Sequence, residues 1–197
     1  MLELIGLNRL HVGPIVLRVG DGECVSVMGA SGAGKSVLLR MIADLDPHAG
    51  DMRLDGVAAS AMPAPDWRAQ VTYVAADAGW WAPRVAEHFA PGADPARLQE
   101  LGIPAEAFEW AVERLSTGER QRLALLRAIR ERTRVLLLDE PTSGLDPENV
   151  ERVERLLLGL LERGLAIVLV THDRAQASRL ASAHWRLADG RLSRDDE

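Results

Sequence analysis

An eight-residue loop rich in glycine constrains the fold more than any other feature of the chain. Residues 29–36 read Gly-Ala-Ser-Gly-Ala-Gly-Lys-Ser and join the apolar segment 24–28 to the apolar segment 37–43. The glycines let successive backbone N–H groups turn inward, and a following helix adds its positive end. A glycine- and serine-rich turn without a ligand is the alternative interpretation. The full spacing between a predicted strand and a predicted helix favours an anion-binding nest.

Lys35, inside this loop, is the only lysine of the chain, because every other basic residue except histidine is arginine. A codon bias towards arginine explains the excess but not the exception. An ammonium group is a compact point charge that fits between phosphate oxygens, whereas a guanidinium group is planar and forked. We therefore expect Lys35 to bind the β- and γ-phosphates of a nucleotide and the Ser36 hydroxyl to bind Mg²⁺.

The composition predicts one ordinary globular domain. The chain has 197 residues, of which 47% are hydrophobic and 26% are charged, so it can fill a sizeable core without room for a second large domain. Its formal net charge of −6 disfavours binding to nucleic acid, because such a surface repels a phosphate backbone.

The sequence also indicates a cytoplasmic location. No apolar run approaches the roughly 20 residues that span a bilayer, so contact with a membrane requires a partner. The first residues lack the pattern of a secretory signal, and the single cysteine, Cys24, has no internal disulfide partner, as is usual in a reducing compartment. The short stretch after Leu192 leaves no room for a regulatory domain in the sequence as given.

Strands and helices are predicted to alternate along the chain, which is typical of a mostly parallel α/β sheet. A hairpin is expected within residues 46–57, where Asp55-Gly56 provides the turn. Residues 75–114, rich in alanine, proline and scattered aromatics, are interpreted as a small helical lobe. The other expected elements are strands at residues 24–28, 71–74, 135–138 and 165–170, and helices at residues 37–43, 115–131, 147–163 and 174–180.

Two carboxylates follow the apolar strand at residues 135–138. Asp139 suits a hard cation such as Mg²⁺, and Glu140 can orient or deprotonate an attacking water. Acidic residues after a strand are commonly just solvated. The upstream loop favours a functional interpretation, because ligands of such sheets bind at the carboxyl ends of the strands.

A Ser-x-x-Glu sequence, Ser116 to Glu119, predicts a helix N-terminus with a capping box. Capping alone is enough to explain it. However, the order of the glycine loop, this box, the Asp-Glu strand, Ser143-Gly144-Leu145-Asp146 and Thr171-His172-Asp173 resembles the ATP-binding cassette (ABC) ATPases. The resemblance runs from about Leu2 to Leu192, and several motifs in one order are far more specific than any one of them.

The resemblance implies a P-loop NTPase fold with a RecA-like parallel core and N-terminal antiparallel strands. It also implies one nucleotide-binding domain over residues 1–197, with a helical subdomain inserted at residues 75–114. Glu140 and His172 are then the catalytic pair, and Ser36 and Asp139 hold Mg²⁺, Asp139 through water. The residues implied to bind ATP in the same chain are Gly29, Ala30, Ser31, Gly32, Ala33, Gly34, Lys35, Ser36 and Val37.

In this family two chains sandwich two ATP molecules, so a homodimer or heterodimer is expected. The signature residues that would contact ATP of the partner chain are Ser116, Thr117, Gly118 and Glu119, and the D-loop residues are Ser143, Gly144, Leu145 and Asp146. Asp146 followed by Pro147 also predicts a helix cap with proline in the first turn.

Several positions depart from the family pattern. Thr117 and Glu119 replace a usual glycine and glutamine, and Glu119 is expected to cap its own helix because it would repel a phosphate. Val37 removes a hydroxyl near the α-phosphate. Ala76 falls where a glutamine usually touches Mg²⁺ and relays motion to the partner. No aromatic residue precedes the loop to stack on adenine, and His11 is the nearest substitute. Because of these departures together, hydrolysis is expected to be slow.

Seven of the eight aromatic residues lie between positions 67 and 110. A small lobe needs bulky side chains for its own core, which explains most of them. The pair Trp80 and Trp81 is harder to bury completely. Because the family receives a permease helix in this region, we expect these two residues, with Glu87-His88-Phe89, to form part of a permease-docking surface.

The leading hypothesis is an ATP-hydrolysing subunit that powers an ABC membrane transporter from the inner face of the cell membrane, with ATP and Mg²⁺ as cofactors. A non-transport ABC ATPase acting as an assembly or regulatory switch is the alternative, modestly favoured by Ala76 and Val37. A small-molecule kinase does not explain the motif order. Cargo and direction of transport belong mainly to the permease.

Overall fold

A computed structural model of the chain describes residues 1–195. The strands are β1 (Leu2–Arg9), β2 (Val12–Val19), β3 (Cys24–Met28), β4 (Ala49–Leu54), β5 (Val57–Ala58), β6 (Val71–Val74), β7 (Val135–Asp139), β8 (Ala166–Val170), β9 (Ala183–Ala188) and β10 (Arg191–Arg194). The α-helices are α1 (Lys35–Ile42), α2 (Ala64–Gln70), α3 (Thr117–Ala128), α4 (Pro147–Glu162) and α5 (Arg174–Leu180).

The central sheet has six strands in the order β10-β9-β3-β8-β7-β6. All neighbouring strands from β9 to β6 run parallel, and only β10 is antiparallel to its neighbour. The prediction of a mostly parallel sheet is therefore confirmed. Because the strands are parallel, β3, β7 and β8 all end at the same edge, where the glycine loop, Asp139 and the residues after Val170 meet.

A second sheet, of order β2-β1-β4-β5, is antiparallel throughout, which confirms the expected N-terminal antiparallel strands. Its β4-β5 hairpin turns at Asp55 and Gly56, whose φ angles are 51° and 78°. Two successive positive φ angles are typical of the type I′ turn that matches strand twist. The expected hairpin is therefore confirmed.

Several helix ends differ from the prediction by one to three residues. Helix α1 begins at Lys35, two residues early, because Gly34 adopts a φ of 100° and serves as its N-cap. Helix α3 ends at Ala128 instead of Glu131. The Thr133 hydroxyl donates to the Ala128 carbonyl at 3.0 Å and accepts from the Arg130 N–H at 3.1 Å, so it replaces the helical bonds of the last turn.

The segment 75–114 contains four 3₁₀ helices and, within these described residues, no α-helix. Prolines recur through the segment and interrupt any longer helix. Its apolar side chains, such as Val85, Leu98 and Leu101, share one hydrophobic cluster with residues of α3 and α4 instead of forming a separate core. The boundaries of an inserted subdomain therefore stay a prediction.

A second cluster lies on the other face of the central sheet, between α1 and the N-terminal sheet. Trp67 of α2 is fully buried there, and its indole N–H donates to the Ile42 carbonyl at 2.9 Å. Helix α2 therefore attaches to the end of α1. Within residues 1–195, no helix is long and apolar enough to cross a membrane.

We expect Trp67→Ala to lower the free energy of unfolding by about 3–5 kcal/mol, because it leaves a cavity in the cluster under α1 and removes a buried hydrogen bond. Trp81→Ala is the matched control, since Trp81 is 71% exposed, and its effect should stay below about 1 kcal/mol. Urea denaturation followed by circular dichroism measures both. Equal losses for the two variants would contradict the packing described.

Candidate functional site

The glycine loop is held in shape by positions with no room for a side chain. Gly32 and Gly34 have φ angles of 80° and 100°, which favour glycine. A Cβ on Gly34 would overlap the Val12 side chain, and one on Gly29 would overlap the Leu187 carbonyl. The loop is therefore packed between the start of β2 and the end of β9.

The Lys35 ammonium folds back over this loop. It donates to the carbonyl of Gly29 at 2.7 Å and to that of Ala30 at 3.0 Å. Ser36 is exposed on the first turn of α1, and Val37 packs its side chain against the core cluster beneath. The first turn of α1 therefore presents one cation and one hydroxyl at the positive end of a helix.

Asp139, the last residue of β7, is a nearly buried carboxylate, 6% exposed. The Tyr73 hydroxyl, from the neighbouring strand β6, donates to its Oδ2 at 3.0 Å. Burial raises the pKa of Tyr73, and the charge of Asp139 raises it further, so the hydroxyl stays protonated at neutral pH. The sequence analysis missed Tyr73, whose only signal was a hydroxyl at the tip of an aromatic ring inside a predicted strand.

Glu140 directly follows and has a φ of 51°, an uncommon conformation for a residue with a side chain. Its N–H donates to the Val170 carbonyl at 2.9 Å, and its carbonyl accepts from the Gln121 side chain at 2.7 Å. Its Oε2 lies 2.7 Å from Nδ1 of His172, which is 74% exposed. The two predicted catalytic residues are thus in direct contact, held by β8 and α3.

A hydrogen-bond network centred on the buried Gln176 and Glu154 supports the loops behind this pair. Gln176 of α5 is fully buried, and its amide donates to the Thr142 hydroxyl at 2.8 Å and to Glu154 at 3.4 Å. Arg179 holds the same Glu154 with two bonds of 2.7 Å. Because α5 begins two residues after His172, the network connects the loop after Glu140 to the helix after His172.

The N-terminus of α3 has the predicted capping box. The Glu119 N–H donates to the Ser116 hydroxyl at 3.3 Å, and the Ser116 N–H donates to Glu119 Oε2 at 2.8 Å. The prediction that Glu119 caps its own helix is confirmed. Ser116 and Thr117 are exposed. A Cβ on Gly118 would lie 3.1 Å from the Leu145 side chain, so α3 packs closely against the loop 143–146 at this residue.

The loop 143–146 leads into α4. Gly144 has a φ of 76°, and Asp146 caps the helix by accepting from the Asn149 N–H at 3.0 Å, as the sequence predicts. Hydrogen bonds from Asn149 lower the pKa of the Asp146 carboxyl. Ser143 and Gly144 are exposed beside this cap.

A cavity of about 320 Å³ lies beside the glycine loop. His11, residues 30–33 and the turn at Asp189 and Gly190 line it. The Gly13 N–H donates to the Gly190 carbonyl at 2.7 Å, which joins the β1-β2 turn to the β9-β10 turn. His11 is therefore placed next to the loop, where the sequence analysis expected a substitute for an aromatic.

Trp80 and Trp81 differ in how far their side chains are exposed. Trp81 is 71% exposed and Trp80 is half-buried, with the Arg127 guanidinium 4.9 Å and 4.5 Å from their ring centroids. His88, which we expected on the same surface, is only 3% exposed. Its Nε2 accepts hydrogen bonds from the Trp81 N–H at 3.0 Å and the Ala82 N–H at 3.1 Å, so this buried side chain stabilises the turn at Trp81 and Ala82. The inclusion of His88 in an exposed surface was wrong.

The described side chains provide no all-protein metal cage. Among residues 1–195, no three histidine, cysteine, aspartate or glutamate residues cluster so as to hold a metal ion. A magnesium ion needs fewer protein ligands, because it is usually bound by one or two carboxylates together with substrate phosphates. A buried Asp139 with one oxygen bonded by Tyr73 and an exposed Ser36 hydroxyl fit that requirement.

Comparisons with known proteins agree with this arrangement. The family model described as ABC transporter matches residues 12–143. The chain is 40% identical over 190 residues to the aliphatic sulfonates import ATP-binding protein SsuB of Ralstonia nicotianae, a match that covers 92% of this chain and 65% of that relative. It is 31% identical over 224 residues to the glutamine transport ATP-binding protein GlnQ of Escherichia coli, covering 99% of this chain and 90% of that one.

A solved structure is also similar. The dimeric structure of a post-hydrolysis state of the ATP-binding cassette MJ0796 bound to ADP and Pi matches with a TM-score of 0.83 and 25% identity, covering 98% of both chains. Among the relatives by sequence, the SsuB of Ralstonia nicotianae is longer, and this chain spans about two thirds of its length.

We expect Ser116→Ala to lower the free energy of unfolding by about 1 kcal/mol, because it leaves an N–H of α3 without its cap. Glu119→Gln should cost less than about 0.5 kcal/mol, since glutamine also completes a capping box. Urea denaturation of both variants measures the difference. A larger loss for Glu119→Gln than for Ser116→Ala would contradict the capping role of Glu119.

Proposed function

We propose that this chain, which belongs to the ABC transporter family, binds and hydrolyses ATP as the nucleotide-binding subunit of a membrane transporter. One observation carries the proposal. The glycine loop with Lys35, the carboxylate Asp139 and the contacting pair Glu140 and His172 all lie at the carboxyl edge of one parallel sheet. That edge is where ligands of such sheets bind.

Each residue has a role that follows from its position. The loop N–H groups and the start of α1 bind the phosphates, and Lys35 exchanges its two loop carbonyls for phosphate oxygens. Glu140 polarises the attacking water, and His172, at 2.7 Å from it, steadies both this carboxylate and the γ-phosphate. The hydrogen bonds that Glu140 donates to Val170 and accepts from Gln121 fix its backbone, so the carboxylate is positioned before substrate arrives.

Ser36 and Asp139 are the residues that would hold Mg²⁺. When bound, the ion neutralises charge that develops on the phosphate oxygens. Asp139 would hold the ion through the carboxylate oxygen that Tyr73 does not bind, and Ser36 through its hydroxyl on the first turn of α1.

Turnover is slow in this proposal. Ala76 has no polar group to replace the family's glutamine, and Val37 is packed into the core instead of offering a hydroxyl. The base of the nucleotide lies in the cavity beside His11, which offers an imidazole where the family has a larger aromatic ring.

The working unit is a dimer, homodimeric or heterodimeric, in which α3 of one chain meets the ATP held by the other. The exposed Ser116 and Thr117 at the positive end of α3 and the dimeric state of the similar cassette support this arrangement. Because Glu119 is engaged in the capping box, its charge is turned towards Ser116.

The subunit docks on a permease at the inner face of the membrane. Trp81, exposed beside a cavity of about 250 Å³ that Arg127 also lines, is the anchor, and Trp80 supports it through Arg127. The names of relatives include import of aliphatic sulfonates and transport of glutamine and putrescine, so they share ATP use and transport instead of one cargo. These names favour transport over a non-transport switch.

We expect Glu140→Gln to form a dimer that persists with ATP and Mg²⁺, because the variant binds ATP but hydrolyses it much more slowly. Size-exclusion chromatography with light scattering measures the molecular mass with and without nucleotide.

The matched control is Glu148→Gln, an exposed acid of α4 outside the site, which should behave as the wild type. A strictly monomeric Glu140→Gln protein at saturating ATP would overturn the ATP-sandwich model.

A further inference from the structure

Tyr73 is the only tyrosine of the chain, and it lies on strand β6 at the edge of the central sheet. It pairs with Leu137 of β7 in parallel register. Because side chains alternate along a strand, Leu137 and Asp139 point to one face, and Tyr73 packs against the hydrophobic cluster on that same face, which α1 covers. Its hydroxyl therefore reaches diagonally to Asp139 on the neighbouring strand β7.

The hydrogen bond from Tyr73 offsets part of the cost of burying the Asp139 carboxylate. A carboxylate that is 6% exposed is costly to bury unless it accepts hydrogen bonds. Among the described residues, the Tyr73 hydroxyl is the group that donates to this carboxylate, at 3.0 Å to Oδ2. The bond fixes the rotation of the carboxylate and leaves Oδ1 without a protein donor.

The contact between Tyr73 and Asp139 also matters because the site lacks a polar side chain at Ala76. Ala76, two residues after the end of β6, has only a methyl group where the resemblance places a polar side chain near the metal. Tyr73 comes from the same strand and donates a hydrogen bond to the Asp139 carboxylate. Strand β6 thus still delivers one polar group to the site, through a residue inside the strand instead of after it.

We propose that Tyr73 is a positioning residue that holds the Asp139 carboxylate in the orientation in which its other oxygen, Oδ1, faces the magnesium ion of Mg²⁺·ATP. The inference rests on the proposed function of the site. Residues that orient a metal ligand through a hydrogen bond typically change metal affinity about 10- to 100-fold when they are removed. Tyr73 acts through Asp139 and does not itself touch the nucleotide.

Tyr73→Phe removes this hydroxyl and keeps the ring in the cluster. The variant should need about 10-fold more Mg²⁺ for half-maximal ATP hydrolysis, with kcat at saturating Mg²⁺ nearly unchanged. Electron paramagnetic resonance should give an equally large loss of Mn²⁺ affinity in the presence of a non-hydrolysable ATP analogue. Affinity for ATP in EDTA should stay that of the wild type.

Thr72→Val is the matched control, because it removes a hydroxyl from the adjacent residue of β6, where Thr72 donates to the Arg68 carbonyl at 3.3 Å. Its Mn²⁺ affinity should equal that of the wild type. The same loss in both variants would mean that damage to β6, not the bond to Asp139, sets metal affinity, and the role of Tyr73 would be overturned.

A second measurement needs no variant of Tyr73. Protein labelled with ¹³C at the tyrosine Cζ gives one resonance, which should move when Mg²⁺ is added to the analogue-bound protein and should not move in Asp139→Asn. A wild type that binds neither the analogue nor Mn²⁺ would overturn the proposed function itself. Normal wild-type binding, with unchanged Mn²⁺ affinity in Tyr73→Phe and a stationary resonance, would overturn the role of Tyr73 alone.

Discussion

The close approach of three backbone segments fixes the shape of the phosphate loop, and the rest of the site depends on that shape. Gly34 lies against Val12, Gly29 lies against the Leu187 carbonyl, and Gly190 lies against the carbonyl of His11, each with no space for a Cβ. These contacts join the antiparallel sheet, the loop and the last strands of the parallel sheet. The loop is therefore supported by both sheets, and its N–H groups are oriented before any ligand binds.

At the other side of this edge of the central sheet, hydrogen bonds instead of close packing hold Glu140 and His172 in place. Glu140 adopts an unusual backbone conformation, and Val170 and Gln121 hold it there. Behind it, Thr142 and Gln176 connect the two loops that carry Glu140 and His172. Because Gln176 is fully buried, this network resists deformation, so the fold and not the pair alone maintains the distance between Glu140 and His172.

Local signals in the sequence account for what could be predicted. The bounds of α5 were predicted because Asp173 is a strong N-cap, and the β4-β5 turn was predicted because Asp-Gly favours positive φ angles.

Strands β9 and β10 were missed, since polar residues at His184 and Arg186 break their apolar pattern. Residues 75–114 were predicted to form a helical lobe, and the helices found there are 3₁₀ helices, because recurring prolines interrupt longer helices. The contacts of Tyr73 with Asp139 and of His88 with the Trp81 backbone depend on tertiary packing, which no local pattern contains.

The central claim is that the Lys35 ammonium and the loop N–H groups together bind the phosphates of ATP. Equilibrium binding of ATP to Lys35→Ala, measured by calorimetry beside turnover, tests it most directly. The account predicts a loss of affinity of at least about 10-fold, the equivalent of one hydrogen bond to a charged group, and a loss of turnover. A variant that folds normally and retains wild-type affinity and turnover would contradict it.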